Sequence, residues 1–238
     1  MNKIAAMLFV ALLAPFTSPP AQAVIIANWT FETSKPTTAG PFSPEVGSGS
    51  ASGFHASTSV VYNSPSGNGS TNSFSSTRWS VGDYYQFQVS TLGLAGISVS
   101  WDQISSSTGP RDFDLEYSTD GINFSTFGSA YTVLVNASPN FWATNSTVNT
   151  TSFADDLSSI TALNNAASVY FRLADISTTS ASGGTVGTAG TDRVDNFVVA
   201  AVPEPSTYEI CLLGGLGLLG SRVWRRRSEQ LKPRAIET

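Results

Sequence analysis

Residues 112–127 read DFDLEYSTDGINFSTF. Phe113, Leu115 and Tyr117 alternate with Asp112, Asp114 and Glu116. Successive side chains of a strand point to opposite faces, so this stretch has one apolar face and one acidic face. Asp120-Gly121 supplies a turn, and Ile122 to Phe127 returns. A strand with one wet face suits an antiparallel sheet better than a parallel sheet buried on both sides. The same period of two recurs outward in both directions. Val24 to Phe31 is one such run, and Tyr85, Phe87 and Val89 alternate within 84–89. Ile97, Val99 and Trp101 alternate next, with Ile104 beyond them. Tyr131 to Val135, Val148 to Phe153, Val169 to Leu173 and Val194 to Ala201 complete the set. Short strands with regularly placed turns predict an all-β fold, an antiparallel β-sandwich. About 180 residues is enough chain for one such core.

One segment departs from this rhythm. Ser152 to Leu163 places Phe153, Leu157, Ile160 and Leu163 at roughly helical spacing, with Asp155 and Asp156 near its start. It predicts one or two helical turns. Residues 34–53 and 177–191 are rich in Gly, Ser, Thr and Pro and read as long surface loops.

The chain has 238 residues, 41% hydrophobic and 12% charged, with one His and one Cys. One of each excludes disulfide frameworks and nearly every zinc site. The only Ser–His–Asp arrangement left would use His55, which lies in GFHAST and is expected to be exposed. No G-x-S-x-G elbow occurs. Residues 24–202 hold five basic residues against thirteen acidic ones, a balance near −8. Such a domain repels phosphate backbones, which excludes nucleic acid as a partner.

Both ends of the chain look like addresses. Lys3, the apolar run Ile4 to Leu13, the Pro15–Pro20 break and Ala21-Gln22-Ala23 form a secretory signal peptide over 1–23, cleaved after Ala23. The domain proper is 24–201. Residues 202–238 then divide into three parts. Val202, Pro203, Glu204, Pro205, Ser206 and Thr207 form a stiff extended element, because each Pro fixes its own φ and restricts the residue before it. Tyr208 to Trp224 is a mostly apolar transmembrane-helix candidate with an aromatic residue at each end. Residues 225–238 begin with Arg225, Arg226 and Arg227, a basic stop that keeps this end cytoplasmic. Gly215 to Gly220 matches G-x-G-x-x-G, but the strand, helix and acidic residue of a dinucleotide site do not surround it.

The order Pro-Glu-Pro, short apolar helix, arginine cluster resembles the PEP-CTERM sorting signal. The resemblance covers the final 37 residues or so. It implies an exosortase-type sorting enzyme as partner, a precursor held in the inner membrane by 208–224, and removal of the anchor near Pro203-Glu204-Pro205. A permanent single-pass anchor is the alternative. The sandwich also resembles jelly-roll carbohydrate-binding modules through WTFE near its start, YSTDGINF in its middle and RVDNFVV at its end.

Candidate chemistry in the domain is sparse. Asp112, Asp114 and Glu116 read as a solvated strand face or as paired carboxylates. The jelly-roll resemblance implies a structural Ca2+ tying the first strand to the last, with Glu32, Asp192 and Asp195 as ligands. Hard oxygen donors in an exported domain without disulfides suit that ion. A plain Glu32–Arg193 salt bridge is the rival reading. Trp79 and Trp142, nearer turns than Trp29 and Trp101, are the candidate sugar platform, whereas Trp101 alternates with Val99 and is expected in the core. These readings converge on an exported, non-enzymatic surface or matrix protein associated with extracellular polysaccharide. A calcium-stabilised carbohydrate-binding module is the second reading.

Overall fold

The computed structural model of the protein describes residues 22–204. Twelve strands lie in this span: β1 Val24–Trp29, β2 Val46–Gly47, β3 Ser50–Phe54, β4 Tyr62–Asn63, β5 Phe74–Thr77 and β6 Tyr84–Val89. There follow β7 Leu94–Ser105, β8 Asp112–Ser118, β9 Ser125–Thr132, β10 Ser152–Asp156, β11 Val169–Asp175 and β12 Thr191–Pro203. They form two antiparallel sheets. The first runs β10-β7-β12-β1-β2, with β5 pairing the start of β12 and β4 pairing β5. The second runs β3-β6-β11-β8-β9. The architecture is the predicted all-β sandwich.

Period-two sequence becomes period-two burial. Tyr85, Phe87 and Val89 are buried on β6 while Tyr84, Gln86 and Gln88 remain half-exposed. Phe113 and Leu115 are buried on β8, between Asp112, Asp114 and Glu116. The apolar faces meet between the sheets. Phe87 of β6 stacks on Phe197 of β12 at 3.6 Å between ring centroids, and Trp29 meets both rings edge-on. Trp101 is also in this core, as its alternation with Val99 predicts.

Strand β12 organises the first sheet. It pairs with β7 along most of its length, with β5 over Thr191–Val194 and with β1 over Phe197–Ala201. A register shift lies between Asp195 and Val198, where Asn196 has φ of 51°. The extra residue lets Val194 and Phe197 both point inward while Asp195 turns to the loop at Asn68.

Of the one or two helical turns expected over 152–163, a single 3-10 turn forms, at the end of the segment. Ser152–Asp156 is instead edge strand β10 on β7, with Phe153 stacked on Trp101 at 5.4 Å. A 3-10 turn follows at Thr161–Leu163, burying Leu157 and Leu163. Isolated helices this short are marginal in water, whereas β7 offers a ready ladder. The run expected over 148–153 likewise starts at Ser152, after a 3-10 turn at Asn149–Thr151. The expected loop over 34–53 contains β2 and most of β3.

Candidate functional site

The outer face of the second sheet carries a line of stacked groups. Phe54 ends β3 and stacks on Tyr84 of β6, with centroids 5.1 Å apart and planes 18° apart. The guanidinium carbon of Arg172, on β11, lies 3.8 Å from the Tyr84 centroid and 3.4 Å from that of Phe124, in the β8–β9 turn. Register explains the line. Phe54 faces Tyr84 across β3–β6, and Arg172 lies between Gln86 of β6 and Glu116 of β8. Arg172 Nε donates to Gln86 Oε1 at 2.9 Å, which fixes the plane of the guanidinium. Burial pushes the Glu116 carboxyl above its usual range; Arg172 opposes that shift and Asp114 adds to it.

The inner ring faces of this stack are occupied by one another. Phe54, the terminal ring, is 48% exposed. Tyr84, Gln86, Gln88, Tyr170 and Arg172 flank it as half-exposed polar groups. An apolar face beside donors and acceptors that can meet neighbouring hydroxyls is what a sugar ring requires. Sequence reading misses this set because its members come from β3, β6, β11 and a turn. The usable signal is YYQFQV, whose outward residues are Tyr, Gln and Gln rather than charges.

The His55 side chain is buried rather than exposed. Its Nδ1 lies 2.9 Å from Asp83 Oδ2 and its Nε2 lies 2.9 Å from Ser76 Oγ. This has the connectivity of a Ser–His–Asp triad. The side chains of His55 and Asp83 are 0% and 1% exposed, and Ser76 is fully buried. Trp79 covers the imidazole edge-on at 4.6 Å. Ser76 Oγ also lies 3.0 Å from Tyr85 Oη, which donates to the Asp192 carbonyl. A serine walled in on every side meets no substrate, so the arrangement serves as an internal clamp.

The three carboxylates expected to share Ca2+ have separate partners. Glu32 accepts hydrogen bonds from the Thr71 hydroxyl and the Asn72 N–H. Asp192 meets Gln103 Nε2 at 3.0 Å and Ser105 Oγ at 2.9 Å. Asp195 meets the Asn68 N–H at 2.9 Å and Ser70 Oγ at 2.6 Å. Among the described residues no group of three or more His, Cys, Asp or Glu side chains is placed to hold a metal ion. The Glu32–Arg193 salt bridge is not formed either, because Arg193 Nη1 donates to the Ser66 carbonyl. Arg111–Asp112 is the ion pair on the acidic strand.

Trp79 and Trp142 do not form a platform. They are 5% and 1% exposed. Their indole N–H groups donate inward, to the Ser76 carbonyl and to Thr151 Oγ1.

The remaining candidate residues lie at the end of β12. Val202 pairs with Ala95 and Pro203 with Leu94, and the Glu204 N–H donates to the Gly93 carbonyl at 3.0 Å. The ladder therefore runs past residue 201 and carries Pro203-Glu204 to the rim of the sandwich. Residues 201–227 carry the PEP-CTERM protein-sorting motif. The PEP-CTERM motif marks an exported protein that is sorted at a membrane by an exosortase. Four of its residues, Ala201 to Glu204, belong to the folded domain. Pro205, Ser206, Thr207, the 208–224 segment and Arg225–Arg227 lie outside the described residues, as do Ala21 and the rest of the signal peptide before residue 22. Among the described residues no helix is long and apolar enough to cross a membrane.

Several solved structures are similar in outline. A cleaved adhesin domain of Lys-gingipain from Porphyromonas gingivalis is 11% identical with a TM-score of 0.42, over 75% of this chain and 97% of that one. The module pair of a Clostridium thermocellum endo-1,4-beta-D-xylanase complexed with xylohexaose is 11% identical with a TM-score of 0.43. That match covers 76% of this chain and 29% of the xylanase chain. A carbohydrate-binding module complexed with beta-1,4-galactotriose is 9% identical with a TM-score of 0.35, over 63% and 85%. No curated protein matches the chain.

Proposed function

We propose that this is a non-catalytic surface protein, delivered through its PEP-CTERM motif and associated with extracellular polysaccharide through the outer face of its second sheet. The precursor sits in the inner membrane with residues 225–238 on the cytoplasmic side. The sorting enzyme then releases the sandwich near Pro203-Glu204-Pro205. The match over 201–227 carries this reading. In cells holding the sorting enzyme, intact mass of the extracellular form should lack Arg225 to Arg227. In cells without it, the uncut chain should accumulate in the membrane fraction. An extracellular product that retains those arginines contradicts processing and favours a permanent anchor.

The polysaccharide reading rests on the Phe54–Tyr84–Arg172–Phe124 line, where aromatic surface and polar groups meet in the open. Glu116 and Asp114 beside it, and the acidic balance of the domain, favour an uncharged polysaccharide over an acidic one. The protein should be retarded in native gels containing neutral xylan, galactan or β-glucan, and not in gels containing alginate. Phe54→Ala or Tyr84→Ala should weaken the retardation roughly tenfold or more, about 1.4 kcal/mol. Unchanged migration in every neutral gel would end this reading. The absence of a catalytic function is supported by the sealed state of the Ser76–His55–Asp83 clamp.

A further inference from the structure

Strand register sorts the ends of the sandwich. Val24 of β1 pairs with Ala201 of β12, and Leu94 of β7 pairs with Pro203. The chain therefore enters and leaves the domain side by side. In the second sheet Val89 pairs with Val169, and Tyr170 with Ser118. The 90–93 turn leads from the end of β6 to the start of β7, and the 119–124 turn follows Ser118. Both turns lie at this same end. Tyr84, Asp175 and Thr191 lie at the opposite end.

The exit end exposes apolar side chains. Leu92 is 62% exposed, Ile122 81%, Val24 42% and Ile25 53%. Residues 90–96 and 157–168 contain no charged residue. The two segments are knitted together: Thr91 Oγ1 donates to the Leu163 carbonyl, and the Asn165 N–H donates to the Leu94 carbonyl. Asp120, Asp156 and Glu204 are acidic groups here. The Asp120 carboxylate is occupied by the Ile122 and Asn123 N–H groups and the Asn123 amide.

We infer that in the precursor this end of the sandwich rests on the bilayer, with Leu92 and Ile122 among the lipid headgroups. The inference builds on the reading of 208–224 as the membrane segment. Its force comes from length. Glu204 is fixed to Gly93, one residue from Leu92. Four residue steps separate Glu204 from Tyr208, and an extended chain covers at most ~3.6 Å per step, so about 14 Å. The headgroup layer itself is roughly 5–8 Å thick on each side of the hydrocarbon. At most about 6–9 Å of chain is left above the headgroups, so the exit end is held within a few water layers of the surface even when the tether is fully extended. The exposed leucine and isoleucine lie where an interface accommodates them, and the stacked line runs from Phe54 and Tyr84 at the far end to Phe124 in the 119–124 turn.

The test uses the full chain with Cys211→Ala as background. Leu92→Cys, or Val81→Cys near the opposite end, is labelled with a polarity-sensitive fluorophore. The chain is then reconstituted into phosphatidylethanolamine–phosphatidylglycerol vesicles with headgroup-spin-labelled lipid as quencher. The label at position 92 should be blue-shifted and quenched several-fold more than the label at 81. Equal quenching at the two positions, in chains that float with the vesicles, overturns the docking and leaves the membrane segment intact. Chains that do not float with the vesicles overturn both.

Discussion

Acidification from about pH 8 to about pH 5 stabilises the folded domain. Burial pushes the Asp175 and Asp195 carboxyls up to about 7, and holds Asp192 well above the carboxylate range. The hydrogen bonds explain how the protons are held. Ser105 has one hydroxyl hydrogen and two neighbours, the Pro110 carbonyl at 2.6 Å and Asp192 Oδ2 at 2.9 Å. Ser70 has the Asn72 carbonyl at 3.0 Å and Asp195 Oδ2 at 2.6 Å. A hydroxyl serves only one acceptor at a time. Both sets are fully satisfied when the carboxyl is protonated and donates to the serine. Asp175 Oδ2, buried without a partner, is likewise cheaper to keep neutral. An unfolded Asp titrates near 3.9. Between about 4 and 7 the folded state therefore holds more protons than the unfolded state, and stability rises as pH falls. Arg111 holds Asp112 below the usual range, and the Thr71 and Asn72 hydrogen bonds outweigh desolvation to lower Glu32. These two lose their contribution as pH falls below about 4, so the optimum lies near 4–5. The gain from pH 8 is a few kcal/mol, or roughly 5–10 °C in melting temperature. Thermal unfolding followed by circular dichroism across this range checks it. Asp192→Asn and Asp195→Asn, which imitate the neutral acid, should flatten the slope. A melting temperature that falls steadily from pH 8 to 5 refutes the protonated assignment.

The sandwich was legible because burial repeats the alternation written in DFDLEYS and YYQFQV. What lay beyond reach was any contact made across the sequence. GFHAST looks like an exposed loop because Gly53, Ala56, Ser57 and Thr58 around His55 are small. Its lid comes from Trp79 and its anchor from Asp83. Asp192 and Asp195 lie three residues apart and read as two ligands of one ion. The bulge at Asn196 and the different neighbours of each strand position send them to separate partners. Phe153, Leu157, Ile160 and Leu163 fit a helix by spacing alone, and only the free edge of β7 decides otherwise. The sorting motif was legible for the opposite reason. Its parts are contiguous in the chain, so their order is recognised without any contact made across the sequence.

The largest single-site loss should come from Asp83→Ala. Asp83 Oδ1 accepts the Ala56 N–H at 2.8 Å, and Oδ2 accepts the Ser80 N–H at 2.8 Å and lies 2.9 Å from His55 Nδ1. The Asp83 backbone adds another tie, because its carbonyl accepts the Asp175 N–H. One carboxylate thus joins the loop after β3, the turn before β6 and, through His55, Ser76 on β5. Removing it strands two backbone donors and a ring nitrogen where water does not reach. Each stranded group costs about 1–3 kcal/mol, and breaking a buried pair of this kind costs about 3–5 kcal/mol in total. Asp83→Asn should also destabilise, because an amide that keeps one acceptor turns a donor toward the donors left over. Ser76→Ala removes only a hydroxyl from the middle of the chain, and about 1–2 kcal/mol should suffice. Urea unfolding of the three variants gives the ranking. Equal midpoints for Asp83→Ala and the parent chain would refute the clamp, whereas the expected loss places His55 and Asp83 in the service of holding β5 against β6.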